Sequence, residues 1–263
     1  MTPTKVTFDS NVWQAVIFPH KYSSDSSFSS FIKINKYVRE KIILGFLGEP
    51  IFTLEAIKKR DRQSYFQNYI PSFSVQEKID GKEMKMSISF GPDNTSHPGS
   101  NPYIDYYLSE ALDMGFRVLP CPRLAWIENP DFKTEWLLLL ENINDYEDKF
   151  GKLIDEMTVN ECGCYHLQII GEQYQGSTKH WIDGLKLAPP SEEKNVAKAL
   201  AEWADGDSIA AHYANGNDYF CTRDKAGNAG QNSVLSEKNK QWLQKKYALN
   251  FITPDDLVSQ LNL

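Results

Sequence analysis

The stretch "DSIAAHYANGNDYFCTRDKAG", Asp207–Gly227, decides the fold class. An acid opens it, an apolar-faced helical pattern follows, and the short aromatic run "DYFCT" then leads into a second acid, Asp224. A helix delivering the chain to a strand is half of a βαβ unit, and the flanking segments extend the same alternation. Upstream, "SEEKNVAKALAEWA" reads as a helix that stops near Gly206, so "DSIAAHYA" starts a second helix with Asp207 at its cap or first turn. Downstream come the amphipathic helix "SEKNKQWLQKKYA", the short strand "LNFIT" and the final helix "PDDLVSQL".

The amino-terminal end repeats the alternation. "KVTF" is a strand running into Asp9, and "SNVWQAVIF" begins a helix with Ser10 or Asn11 near its cap. "HKYSSDSSFSS" is a loop that offers Lys21 as a local cation, followed by an ordered segment over 31–40. "KIILGFLGEP" is a buried strand, and Pro50 pre-sets a helix through "IFTLEAIKKRDRQSYF". In that helix Phe52, Ala56 and Tyr65 or Phe66 face a core, while Lys58, Lys59, Arg60 and Arg62 point outward and Glu55 projects beside the buried face. Between 71 and 189 the pattern predicts strands at "KEMKMSISF", "FRVLP" and "CYHLQIIGEQ". It predicts helices at "PYIDYYLSEALDM" and, as one or two pieces joined near Gly151, at "DFKTEWLLLLENINDYEDKFGKLIDEM". The order as a whole predicts an open α/β sheet built around the two terminal portions.

Composition narrows the function classes. Hydrophobic residues at 41% and charged residues at 24% describe a globular chain of 263 residues, with no apolar run of membrane-spanning length and no secretion-like leader. The expectation is a cytoplasmic protein without a membrane partner. Lys and Arg total 28 against 35 Asp and Glu, a net charge of -7, so any polyanion must be met by a local patch rather than by the whole field. Four cysteines are too few to staple this length. "ECGCYH", Glu161–His166, has one residue between its cysteines rather than the two to four usual for zinc, and reads as a strand.

Open α/β sheets place their sites at the carboxyl ends of the strands. Asp9 and Asp224 each follow a predicted strand, and Asp207 and Glu55 lie on helices that reach the same edge. Like charges about 5 Å apart at an effective dielectric near 20 repel by about 3 kcal/mol, so four such acids call for a divalent cation or raised carboxyl pKa values. An oxygen-only donor set favours Mg2+ or Mn2+ over zinc.

The pieces "FDSNVW" around Asp9, "FTLEAIKKR" around Glu55, "ADGDSIAAHYA" around Asp207 and "DYFCTRD" ending at Asp224 resemble the PIN-domain proteins, many of which are metal-dependent ribonucleases. The closing "NFITPDDLVSQL" adds to the likeness, which covers residues 4–70 and 190–261. The resemblance implies a three-layer α/β/α domain with a mostly parallel sheet, residues 1–70 and 190–263 forming the core and 71–189 an insertion or elaboration. It implies an endoribonuclease using Mg2+ or Mn2+, with Asp9, Glu55, Asp207 and Asp224 as metal-binding and catalytic acids. RNA would be the substrate, an inhibitory or regulatory protein a conceivable partner, and homo-oligomerisation is left open.

Asp205 competes with Asp207 if the helix starts earlier. Asn11 and Thr222 match small polar positions that orient a neighbouring acid or backbone, and Lys21, Arg223 and Lys225 are candidate phosphate contacts. His212 and His20 are ordinary helix or loop residues unless one serves as a base. A catalytically inactive RNA- or protein-binding module is the alternative. A phosphatase using Asp9 as nucleophile is disfavoured because "DSN" lacks a second aspartate, and no glycine-rich phosphate loop is present.

Overall fold

The computed structural model describes residues 2–68, 71–80, 83–92, 102–122, 131–177, 180–224 and 233–261. The strands are β1 (Thr4–Phe8), β2 (Ile43–Gly48), β3 (Pro71–Asp80), β4 (Glu83–Pro92), β5 (Arg117–Leu119), β6 (Tyr219–Cys221) and β7 (Phe251–Ile252). The helices are α1 (Trp13–Ile17), α2 (Phe28–Arg39), α3 (Arg62–Gln67), α4 (Pro102–Met114), α5 (Ile143–Val159), α6 (Tyr165–Tyr174), α7 (Trp181–Leu187), α8 (Glu193–Ala214), α9 (Glu237–Tyr247) and α10 (Pro254–Leu261). Among the described residues no helix is long and apolar enough to cross a membrane.

Five strands form one parallel sheet in the order β5-β2-β1-β6-β7, and β3 pairs antiparallel with β4 in a separate hairpin. The chain builds outward from β1 in one direction and then, at β6, in the other. The reversal at the β1–β6 boundary opens a crevice at the carboxyl ends of those two strands.

Alternation along the strands separates two faces. Val6, Phe8, Ile43, Leu47 and Val118 join the core under α1, α2, α4 and α10, whereas Phe46, Leu119 and Phe220 face α5, α8 and α9. Ala111, Tyr107, Ile34 and Leu257 fill the first layer, and Phe150, Leu153, Ile209 and Leu243 the second. The sheet is therefore covered on both sides, as a parallel sheet requires. A third cluster, with Leu54, Ile57, Tyr65, Leu167, Leu185, Leu200 and Trp203, gathers α3, α6 and α7 around the first half of α8.

Several sequence expectations change. α8 is one helix of 22 residues and runs straight through Gly206, so Asp207 is not a cap. Packing explains the glycine: a β-carbon there would lie 3.1 Å from the Gly163 backbone and 3.5 Å from the Met157 sulfur. "LEAIKK" is not a helix either. The chain after β2 makes a 3-10 turn at Glu49–Ile51, further turns, and a second 3-10 turn at Lys59–Asp61 before α3 begins. Lys58, Lys59 and Arg60 are exposed as expected, but Arg62 is buried. "CYHLQIIGEQ" is helix α6, with turns through 160–164, because Leu167 and Gly171 pack at helical spacing on α7 and α8. Residues 71–189 also supply β5 to the main sheet, with Phe116 packing beside it against Gly45, so the central segment is woven into the core as well as elaborating it.

Candidate active site

β1 ends at Phe8, and the next residue, Asp9, hangs over the crevice with its N–H held by the Cys221 carbonyl at 3.0 Å. Asp9 is 5% exposed and its carboxylate is heavily engaged. Oδ1 accepts from the Ser10 N–H at 2.6 Å, and Oδ2 accepts from Thr222 Oγ1 at 2.6 Å and Asn11 Nδ2 at 2.8 Å. Burial raises its pKa, the Thr222 and Ser10 hydrogen bonds oppose the rise, and the charge of Asp224 adds to it.

Thr222 ties the two strand ends together. Besides donating to Asp9, its oxygen accepts the Asp224 N–H at 3.0 Å, so it orients both an acid and the backbone of another. Asn11 complements it, since its amide nitrogen donates to Asp9 while its side-chain oxygen accepts the Arg223 N–H at 3.1 Å. The Arg223 guanidinium turns back into the protein, donating to the Asn11 carbonyl and pairing with Asp25 at 2.6 Å. That holds the β1 loop, and the Arg223 side chain, one-third exposed at 34%, also lines a neighbouring cavity.

Glu55 reaches the crevice from the turns after β2, where Ser10 Oγ donates to its Oε1 at 3.2 Å. Burial, and then the charge of Asp9, push its pKa up to about 7. The fourth acid is Asp205. Burial holds its pKa well above the usual carboxylate range, and Asp9, Glu55, Glu202 and Asp224 all add to the rise. Asp207 lies two residues further on, about 200° around the helix. It is 2% exposed, its carbonyl accepts from the Cys121 thiol, and it is not among the charges that act most strongly on Asp9, Glu55 or Asp205. Asp205 is thus the α8 aspartate on which Asp9, Glu55 and Asp224 are seen to act.

Helix placement makes this possible. Ser208 meets β2 at its carboxyl end, where a β-carbon on Gly48 would come within 2.5 Å of Ser208 Oγ. The residues of α8 before that contact, 193–207, extend about 22 Å beyond it at 1.5 Å per residue, and Asp205 lies within one turn of the contact. α3, α6 and α7 brace this extension.

Among the described residues two cations balance the acids: Arg62, which the sequence reading had pointing outward, and Lys240, which it did not single out. Arg62 is 4% exposed and donates to the carbonyls of Ile57 at 3.1 Å and Ala197 at 2.7 Å. Burial lowers its pKa while Glu55 and Asp205 support its charge. Lys240, on α9, donates to the Asp224 carbonyl at 2.6 Å; burial lowers its pKa, opposed by Asp224, Glu237 and Asp9. Arg62 had a local signal, since it shares the buried spacing of Tyr65 and Phe66; Lys240 sits in a lysine-rich helix with none.

Lys21 is exposed and held within an aromatic box, its ammonium 4.4 Å from the Phe18 ring, 4.8 Å from Tyr107 and 5.5 Å from Tyr106. Lys225 lies outside the described residues. His212 is fully buried, with Nδ1 2.9 Å from Thr7 Oγ1 and Nε2 unpaired, and burial drops its pKa to about 3, the state of a neutral core histidine. Cys162 is buried with its thiol on the Met157 carbonyl at 3.4 Å, and burial pushes its pKa up to about 12, far from a metal-ready thiolate.

Among the described residues no three His, Cys, Asp or Glu side chains are grouped so that they could together hold a metal ion. The donor set still fits a hard cation: the acids are oxygen donors whose charged forms are penalised by burial and by one another. Mg2+ characteristically takes one or two carboxylates and keeps its remaining waters, so a complete protein cage is not required. No protein family, curated protein or solved structure matches the chain.

Proposed function

We propose that the protein is a divalent-cation-dependent endoribonuclease of PIN-like type, hydrolysing RNA phosphodiester bonds in the crevice at the carboxyl ends of β1 and β6. What supports this reading is that Asp9, Glu55 and Asp224, from three other parts of the chain, all act electrostatically on Asp205 beside the point where the sheet order reverses. Sites in open α/β sheets gather at this location, and unneutralised carboxylates there supply both an ion's ligands and a base for water.

Asp9 and Asp205 would hold Mg2+ or Mn2+, with Asp224 beside them. The ion, when bound, polarises the phosphodiester and eases deprotonation of water. Thr222 and Asn11 fix the Asp9 carboxylate by donating to Oδ2, which keeps its orientation unchanged as charge develops nearby. Glu55, its pKa pushed up to about 7, is suited to take a proton from the attacking water and return it on product release. Arg62 keeps the Glu55–Asp205 side from accumulating charge.

The test is cleavage of diverse RNAs by wild type, Asp9→Asn and Asp224→Asn with Mg2+ or Mn2+. Metal-dependent cleavage by wild type and a large loss in both folded variants are expected; equal cleavage by all three refutes the site. A second reading, a non-catalytic RNA- or protein-binding module, is favoured by one feature: both Asp9 oxygens already accept hydrogen bonds from the protein. Tight RNA binding without cleavage at any metal concentration would select it.

A further inference from the structure

A cavity of 260 Å³ opens beside the acids at the carboxyl ends of β6 and β7, lined among others by Thr222, Asp224, Glu237, Lys240, Gln244 and Phe251. Thr222 and Asp224 belong to the acidic centre as well, so the cavity and the crevice share a wall. Lys240 is half-buried, its ammonium bonded to the neutral Asp224 carbonyl and lying 5.9 Å from the Phe251 ring centroid. An ammonium has three donors, and a backbone carbonyl satisfies one of them.

A chain of net charge -7 whose centre is acidic repels a polyanion unless a cation stands where the strand enters. Among the described residues, Arg223 also lines the cavity but is bonded to Asn11 and Asp25, and Arg62 is bonded to Ile57 and Ala197, whereas Lys240 faces the cavity beside Asp224 and Glu237. We propose that this cavity is a nucleotide subsite, in which Lys240 contacts the phosphate adjoining the scissile one while Phe251 and Gln244 line the space for its sugar and base. This deepens the ribonuclease reading and rests on it for the identity of the strand. Lys240 is a substrate-contact residue here, acting on affinity rather than on the bond being cut.

The experiment measures binding of a fluorescein-labelled single-stranded RNA by anisotropy in EDTA across a salt series, for wild type, Lys240→Gln and Lys240→Arg, alongside steady-state cleavage with Mn2+. Lys240→Gln is expected to bind several-fold more weakly, with a log-affinity against log-salt slope shallower by about 0.7, the value for one lost contact to a single strand. Its KM rises while kcat changes little, and Lys240→Arg restores both affinity and slope. A wild-type slope and affinity in folded Lys240→Gln overturn the subsite while leaving the ribonuclease reading intact, and so does a kcat loss with unchanged binding. RNA binding with the expected slope change but no cleavage by wild type sustains the subsite and removes the ribonuclease. No RNA binding by wild type overturns the subsite.

Discussion

The two sides of the acidic centre are held by different forces. On the β1–β6 side, Asp9 is fixed by Ser10, Asn11 and Thr222, and Arg223 braces the loop that carries them. On the α8 side, Asp205 and Glu55 sit among like charges, with Arg62 acting on both through space and a single 3.2 Å hydrogen bond joining Glu55 to Ser10. The first side sets geometry and the second stores electrostatic tension. Hydrogen-bond loss should therefore misplace groups on one side, whereas charge removal should relax the other.

The largest expected effect comes from Asp9→Asn, which keeps the shape but removes the charge that geometry has positioned; RNA cleavage should fall by about 1,000-fold, within the range for losing a principal electrostatic group. Next, Asp205→Asn should lower cleavage by about 100-fold and raise thermal stability in metal-free buffer. Asp207→Asn, buried on another side of α8, should act on stability rather than on turnover. Interchanged outcomes for this pair, read from cleavage and melting curves, would break the assignment of α8.

A pH series sharpens the comparison. Glu55 has an ordinary pKa of 4.5 and about 7 in the folded protein, so between these values the native state binds more protons than the unfolded chain. Stability then falls as pH rises from 4.5 through 7, by up to about 3 kcal/mol from this group at 1.36 kcal/mol per pKa unit. Asp9 and Asp205 are shifted in the same direction. Denaturant unfolding in EDTA should show the decline, and Glu55→Gln should flatten it; a stability that rises across this window contradicts the crowding of acids. The smallest effect belongs to Thr222→Val, which leaves an Asp9 oxygen and the Asp224 N–H short of a partner and should cost about 1–3 kcal/mol in folding stability.

Much of the layered sheet was legible because its strands are punctuated. "KVTF" lies within one strand of the parallel sheet, "KIILGFLGEP", "FRVLP", "DYFCT" and "LNFIT" each contain another, and Asp9 and Asp224 follow two of them as expected. What misled was glycine and helix phase. Gly206 looks like a helix end, yet it is retained inside α8 because Gly163 approaches it closely, a tertiary fact with no local mark. Continuing the helix through Gly206 changes which aspartate faces the acids. "FTLEAIKKR" shows the complementary error, since its helical spacing is overridden by burial of Phe52, Leu54 and Ile57 in successive turns belonging to two different clusters. Lys240 was invisible for another reason: three of its neighbours in α9 are also lysines, and only the fold singles out the one beside Asp224.

The most direct test of the central claim, that Asp9 and Asp205 join across the crevice to hold a divalent ion, is Mn2+ binding followed by electron paramagnetic resonance. Wild type should take up Mn2+ at the acidic centre. Asp9→Asn and Asp205→Asn should each weaken that uptake at least tenfold, and Asp207→Asn should leave it at the wild-type level. Equal Mn2+ affinity in wild type, Asp9→Asn and Asp205→Asn would contradict the account.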